Sequence, residues 1–134
     1  MSAALALRAA VRTRLANDAA LAGLLGAGRV YDDVPENIGP PYVVMADIES
    51  RGAGSDLADG QEHRFALNVW SREAGLGQAL NAAAHIAASL DGADLTVAGH
   101  RLANLRWLAT DARRAGDGRH RMAQLRFRAL TEPD

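Results

Sequence analysis

The stretch Glu62-His63-Arg64-Phe65-Ala66-Leu67-Asn68-Val69-Trp70-Ser71 decides the fold of this 134-residue chain. Its residues alternate between two sets, and this period of two is typical of a β-strand with one face on a core. The sets are His63, Phe65, Leu67 and Val69 on one side, and Glu62, Arg64, Asn68 and Trp70 on the other. A glycine-bearing turn then leads into an alanine-rich segment with helical spacing. A strand followed by a covering helix indicates an α+β layer.

The size and composition of the chain favour one globular domain over residues 1–134. Hydrophobic residues make up 49% of the sequence and aromatic residues only 4%, so alanine and leucine are expected to fill the interior. The formal net charge of -1 argues against a constitutive nucleic-acid binder, which usually has a basic excess. The sequence contains arginine but no lysine. It also contains no cysteine. These absences exclude a Schiff-base lysine, a thiolate nucleophile, disulfides and cysteine-rich zinc sites.

The sequence favours a soluble protein that is made without export. No apolar run is long enough to span a bilayer, so no membrane partner is expected. The stretch Met1–Arg8 lacks the basic region of a signal peptide, and Arg8, Arg12 and Arg14 interrupt its apolar residues.

Spacing and breaker residues predict three helices and at least four strands. Ser2 caps the first helix, Asp18 caps the second, and Asp91-Gly92 ends the third. Ala115-Gly116-Asp117-Gly118 is a strong signal for a hairpin turn. The helices are predicted at about 2–16, 19–25 and 77–90, and the strands at 29–31, 42–50, 62–71 and Arg119 to Leu130, followed by a short tail, Thr131 to Asp134. Leu95-Thr96-Val97, a turn at Ala98-Gly99, and His100 to Thr110 indicate a strand or a small hairpin.

The predicted fold class is α+β, with an antiparallel or mixed sheet of four to five strands and helices packed on one face. In the strand 42–50, the alternation places Tyr42, Val44, Ala46 and Ile48 opposite Val43, Met45, Asp47 and Glu49. The register of His100 to Thr110 is ambiguous, because Leu102 and Leu108 oppose Leu105 and Trp107. The other sheet face is expected to be uncovered and polar. It would carry Asp47, Glu49, Arg64, Asn68, Trp70, Arg126 and Arg128.

Catalytic and metal-binding patterns are weak throughout the sequence. The four histidines fall on different elements without ligand spacing, which favours ordinary surface or boundary roles. Asp32-Asp33 and Asp56…Asp59 could hold a cation or act as acid and base, but turns favour aspartate on their own account. Gly52–Ser55 has no following helix to bind an anion. We therefore expect no enzyme activity, no catalytic residue, no cofactor and no metal.

Surfaces offer better candidates than side-chain chemistry. An exposed tryptophan such as Trp70 is typical of interfaces, especially beside arginine, unless a loop or a terminus covers it. Arg113, Arg114, Arg119 and Arg121 flank the predicted hairpin turn, as a basic tip for phosphates or an acidic protein, or as an ordinary solvated turn. Arg51 to Gln61 is too long for a tight turn and is interpreted as an arm between two strands.

Landmarks along nearly the whole chain resemble the tail terminator (tail completion, head–tail joining) proteins of long-tailed phages, prophages and gene transfer agents. The order and spacing of these landmarks carry the resemblance. They are Asp18-Ala19-Ala20-Leu21, Gly28-Arg29-Val30-Tyr31-Asp32, Val34-Pro35, Pro41-Tyr42-Val43-Val44, Gly60-Gln61-Glu62-His63, Leu67-Asn68-Val69-Trp70-Ser71, the alanine-rich helix, Asp117-Gly118-Arg119 and Arg126-Phe127-Arg128-Ala129.

The resemblance implies a non-enzymatic α+β protein that assembles with itself into a ring, typically a hexamer, at the head-proximal end of the tail tube. Its partners would be the tail tube protein and the head–tail connector or stopper, with DNA passing through the lumen. It would reside in the tail or neck of a virion or gene-transfer-agent particle assembled in the bacterial cytoplasm. A neck, stopper or minor tail protein is the nearest alternative. A small ligand-binding or enzymatic α+β domain, using loop Asp and His residues, is the alternative of another class.

Two sets of contact residues follow as hypotheses of our own. The subunit-interface candidates are Arg64, Asn68, Trp70, Arg126 and Arg128. The partner-binding loop candidates are Arg51, Asp56, Asp59, Arg113, Arg114 and Arg119.

Overall fold

The computed structural model describes residues 1–54 and 58–134. In these residues the helices and strands follow the predicted order, and the two N-terminal helices have the predicted caps. Ser2 accepts a hydrogen bond from the Leu5 amide, and Asp18 accepts one from the Leu21 amide. The elements are α1 (Ala3–Ala16), α2 (Ala19–Leu25), β1 (Val30–Tyr31), β2 (Tyr42–Gly52), β3 (Gln61–Ser71), α3 (Gly77–Leu90), β4 (His100–Arg114) and β5 (Arg121–Pro133).

The five strands form one mixed sheet in the order β1-β2-β3-β5-β4. β1 runs parallel to β2 and pairs with it over two residues, while the other neighbours are antiparallel. β3 lies at the centre, and β1 and β4 lie at the edges. The predicted fold class, an α+β fold with four to five strands, is confirmed.

The helices pack on one face of the sheet and enclose the core. α3 contacts β3, β4 and β5, while α1 contacts β1 and β2. The side chains that β3 and β5 direct toward the helices are almost completely buried, and Phe65 stacks on Phe127 with ring centroids 5.2 Å apart. The buried stripe of α3 consists of Ala79, Ala82, Ala83, Ile86 and Leu90. Small alanine side chains let this helix lie close to the sheet.

A β-bulge in β2 makes half of the predicted facing of this strand wrong. The register shifts between Met45 and Ile48, so the alternation changes phase within the strand. Val43 and Met45 are buried in the core, whereas the sequence placed them with the polar side. Beyond the bulge, Ile48 pairs with Phe65 and Glu49 pairs with Arg64, as the predicted faces require.

β4 and β5 are longer than predicted, and bulges in β4 explain its ambiguous pattern. β4 extends to Arg114 and shifts register between Leu102 and Asn104, and again between Trp107 and Ala109. The predicted C-terminal tail is wrong, because β5 continues to Pro133 and buries Thr131. The connection between β2 and β3 is shorter than the predicted arm from Arg51 to Gln61, because Gly52 pairs with Gln61 at its base.

His63 is the polar member of the inward set of β3, and it is fully buried. Its Nδ1 lies 2.6 Å from Ser50 Oγ, and its Nε2 lies 2.8 Å from Thr131 Oγ1. The imidazole therefore ties β2 and β5 to the central strand. Burial lowers the pKa of His63 below 6.5, with a smaller contribution from His100. An expectation of a surface or boundary role is wrong for this histidine.

The buried imidazole predicts a loss of stability in mild acid. The unfolded chain takes up a proton near pH 6.5, whereas folded His63 resists protonation, so stability is complete above 6.5 and declines as the pH falls toward the lower pKa of the folded state. One proton limits the slope to about 1.4 kcal/mol per pH unit. Urea titrations between pH 7.5 and 5 measure this effect. In His63→Gln the dependence should flatten over the same range, and an unchanged slope would contradict the assignment.

Candidate functional site on the uncovered sheet face

The sheet face opposite the helices carries cross-strand rows of polar and charged residues. The pairing register places these side chains, because alternate residues of neighbouring strands share a face. The rows, each written from β2 to β4, are Tyr42–Trp70–Met122–Arg113, Val44–Asn68–Gln124–Asp111, Glu49–Arg64–Arg128–Arg106 and Arg51–Glu62–Leu130–Asn104, with Ala66, Arg126 and Ala109 between the second and the third. All five predicted subunit-interface residues therefore lie together on β3 and β5.

Three arginines stand side by side in the third row. Arg64 pairs with Arg128, and Arg128 pairs with Arg106 across β5 and β4. Glu62 lies between two of them, with its carboxylate 2.8 Å from Arg64 Nε and 3.1 Å from Arg128 Nη2. Hydrogen bonds from Arg64 and Arg128 lower the pKa of Glu62. The carboxylate offsets repulsion between adjacent guanidinium groups, so Arg64 and Arg128 are partly satisfied within the subunit.

Trp70 lies on the uncovered face but is partly buried. Its ring meets His120 edge-on, with centroids 6.5 Å apart. The β4–β5 hairpin thus covers part of Trp70, as one of the two sequence interpretations allowed. Two rows away from the arginines, Asn68 accepts a hydrogen bond from Gln124 Nε2 at 2.9 Å. Neither Trp70 nor Asn68 is as exposed as its position on the polar side of β3 indicates.

A shallow groove of about 460 Å³ crosses the same face. Arg126 is exposed in it, next to Leu108 from the β4 bulge, and Asp47 and Glu49 line its β2 side. Within residues 1–54 and 58–134, Arg126 has no ion-pair partner. This groove is open and mixed in charge, which suits a protein contact better than a small ligand.

The predicted basic tip divides between two faces. Arg113 and Arg114 end β4, so their side chains point to opposite sides of the sheet, and Arg119 lies in the turn. Asp117 organises this turn by accepting hydrogen bonds from the amides of Arg119 and His120, which lower its pKa. The arginines are exposed, but they do not form one patch.

The remaining loop candidates have different settings. Arg51 lies in β2, not in a loop, and forms an ion pair with Glu49. Asp59 is exposed in the β2–β3 connection and has a positive φ of 59°, which aspartate tolerates better than most residues. Asp56 falls outside the described residues.

Two of the other histidines contact aspartate carboxylates. His85 contacts the capping carboxylate of Asp18 at 2.7 Å, and His120 contacts Asp117 at the same distance. The described part of the chain contains no group of three His, Asp or Glu side chains placed to hold a metal ion. No helix among its residues is long and apolar enough to cross a membrane.

Comparisons with known proteins show what the whole chain is similar to. The family model described as tail completion protein gp17 matches residues 9–132. The chain belongs to this family. Among solved structures, one chain of the "Virion of native gene transfer agent (GTA) particle" has 38% sequence identity and a TM-score of 0.87, and the match covers 98% of both chains. No match was found among curated proteins.

Membership of the tail completion family makes the protein a structural component of a phage-type tail. The predicted resemblance is confirmed, and so is the predicted location in the tail or neck of such a particle. The uncovered face of a tail completion protein is then a surface available for assembly. The individual contact residues stay predictions.

Two exposed features of β4 escaped the sequence interpretation. Arg106 completes the arginine row, and Trp107 is 42% exposed, beside Leu108 at 44%. Both residues lie on the edge strand, where Trp107 shares the face of buried Leu105 but remains exposed, so alternation alone does not reveal its exposure. The pair Arg106-Trp107 could have been recognised only as an arginine–tryptophan neighbourhood typical of interfaces.

The Glu62 bridge predicts a salt-dependent stability difference in the monomer. Glu62→Gln should lower the free energy of unfolding at low ionic strength, because Arg64 and Arg128 then lose their shared carboxylate and repel each other. The deficit should shrink in 1 M NaCl, which screens exposed charges. Denaturant titrations at both salt concentrations measure it. Glu132→Gln, which removes a carboxylate paired with Arg101 alone, is the matched control. An equal, salt-independent loss in both variants would contradict the bridging role.

Proposed function

We propose that this protein forms a ring that caps the head-proximal end of the tail tube. The ring would stop tube polymerisation and join the tail to the head connector or stopper, with DNA passing through its lumen. The observation that carries the proposal is the end-to-end match with a chain of a gene-transfer-agent virion, over 98% of both chains. The tail completion family supports the same role.

The uncovered sheet face supplies a surface for such an assembly. A ring subunit joins its neighbours through two different surfaces, related by rotation. Trp70, partly covered, and Arg126, exposed and without an ion-pair partner among the described residues, are the strongest members of the interface set on this face. Arg64, Asn68 and Arg128 already have intramolecular partners, so we assign them a secondary part in the contact.

The loops supply axial contacts in this proposal. The β2–β3 connection, in which Asp59 is exposed, would contact a neighbouring subunit or the tube. Arg119 at the hairpin tip would face an axial partner. Binding and positioning perform this function, so we assign no catalytic residue and no cofactor, and we treat residues 1–134 as one domain.

Tube assembly in vitro tests the proposal. Adding the protein to polymerising tube protein should shorten the tubes and place one ring at a single end of each. Electron microscopy measures tube length, and light scattering after size exclusion measures ring mass. Tubes of unchanged length with the protein bound only to connector would indicate a stopper instead. A monomer that binds neither partner would contradict the proposal.

Truncation of Trp70 tests its place at the subunit contact. Removing a central interface tryptophan costs about 2 kcal/mol, so Trp70→Ala should weaken ring formation about thirtyfold. Sedimentation or light scattering over a concentration series measures this change. Trp70→Phe should retain most of the assembly. Circular dichroism of the monomer should be unchanged, and an unfolded Trp70→Ala variant would show that the contact with His120 belongs to the core.

A further inference from the structure

The two edges of the sheet differ in charge. β1 covers only two residues of β2, so β2 has no neighbouring strand on that side from Met45 onward among the described residues. We define the acidic edge there as Asp32, Asp33, Glu36 and Asp47. At the opposite side, we define the basic edge of β4 as Arg106, Trp107, Leu108, Arg113 and Arg114. Asp91 forms an ion pair with Arg106, and Asp111 is exposed between Leu108 and Arg113, so the net positive charge of this edge lies with Arg113 and Arg114.

The acidic edge is held together locally and retains free carboxylates. The guanidinium group of Arg8 donates to Ala46 O at 2.6 Å and to Asp32 Oδ1 at 2.8 Å, which places the end of β1 beside the β2 bulge. Asp33, Glu36 and Asp47 are exposed. Within residues 1–54 and 58–134, these three have no ion-pair partner.

The basic edge combines exposed apolar area with arginine. The loop after α3 covers the middle of β4, where the Gly92 amide donates to Leu105 O at 2.7 Å and the Trp107 amide donates to Asp91 Oδ1 at 2.9 Å. Toward the hairpin, from Leu108 to Arg114, the outer side of β4 has no strand partner in the described sheet. Trp107 and Leu108 are 42% and 44% exposed.

The character of the basic edge fits a protein contact. Trp107 and Leu108 give this edge exposed apolar area next to Arg106, and tryptophan and arginine are enriched at interface hot spots. Arg113 and Arg114 are exposed and have no ion-pair partner among the described residues. Ile38, 37% exposed, provides an apolar side chain in the loop that contains the acidic residues.

We propose that the basic edge of one copy docks against the acidic edge of the next copy. Opposite charges on opposite edges are complementary only in a head-to-tail arrangement, which closes into a ring when the rotation permits. The proposal rests on the ring function above and specifies its lateral contact. Arg126 on the uncovered face pairs with Ala109 next to the basic edge, so this predicted interface residue extends one half of the contact, and the acidic edge supplies the other half.

Charge reversal on each edge tests this contact separately. Arg113→Glu/Arg114→Glu and Asp33→Arg/Glu36→Arg should each raise the concentration for half-maximal ring formation by about tenfold or more, because like charges then meet. Arg12→Glu/Arg14→Glu on the exposed side of α1 has the same net charge change as the first variant and should assemble like the wild type. Light scattering measures all three. Assembly of both edge variants at wild-type concentrations would overturn the proposal.

Mixing the two edge variants provides the decisive measurement. After reversal, one variant has two acidic edges and the other has two basic edges. In a 1:1 mixture, each edge of one variant is therefore complementary to an edge of the other. Rings with alternating subunits should therefore form at concentrations where neither variant assembles alone. Failure of the mixture, with both variants folded by circular dichroism, would overturn the edge contact while leaving the ring itself in place. If the wild type forms no ring with or without tube protein, the proposed function fails first.

Trp107→Ala and a DNA control complete the test. Trp107→Ala should weaken ring formation about tenfold or more. The control is Leu5→Ala, which truncates an exposed leucine on α1. Trp107→Ala should lower the denaturation midpoint by no more than Leu5→Ala does. If Arg113→Glu/Arg114→Glu assembles normally but loses affinity for a labelled DNA duplex, the basic edge contacts nucleic acid and the proposal is overturned.

Discussion

Eleven consecutive residue pairs join β3 to β5 without a register shift, and the rest of the structure depends on this ladder. It runs from Gln61–Thr131 to Ser71–Arg121. A shift of one residue would turn Phe65 and Leu67 toward solvent and bury Arg64 and Asn68, so the hydrophobic pattern fixes the register strongly. The hydrogen-bonded contacts of His63 with Ser50 and Thr131 would also be lost. The same ladder that builds the core therefore aligns the arginines on the opposite face.

The elements with unbroken periodicity were predictable from the sequence. β3 and α3 follow their patterns closely, because each buries one continuous set of side chains. Helix starts were predictable for a second reason, since Ser2 and Asp18 satisfy amides that no helical carbonyl can reach. The sheet with helices on one face follows from these elements, and the uncovered polar face follows with it.

The facing of side chains in the bulged strands was not predictable, so the candidate site was predicted incompletely. An extra residue near Asp47 and another near Leu108 reverse the facing of the residues beyond them, and no local sequence feature marks where this happens. The exposure of Trp107 was missed for another reason, since it lies on an edge strand, while Trp70 was correctly placed on the outer face but without the His120 ring beside it. The contact between Trp70 and His120 depends on how the β4–β5 hairpin twists. Pairings far apart in sequence, including Glu62 with Arg128, also need the three-dimensional register.

The shortness of β1 has a consequence for solubility. A two-residue strand leaves most of β2 without a partner on one side, and an open strand edge invites pairing between identical molecules. Asp33 and Asp47 oppose this, because two copies that approached through the same edge would bring like charges together. Arg113 and Arg114 have the same effect at the β4 edge. Symmetric back-to-back dimers are thus disfavoured by repulsion.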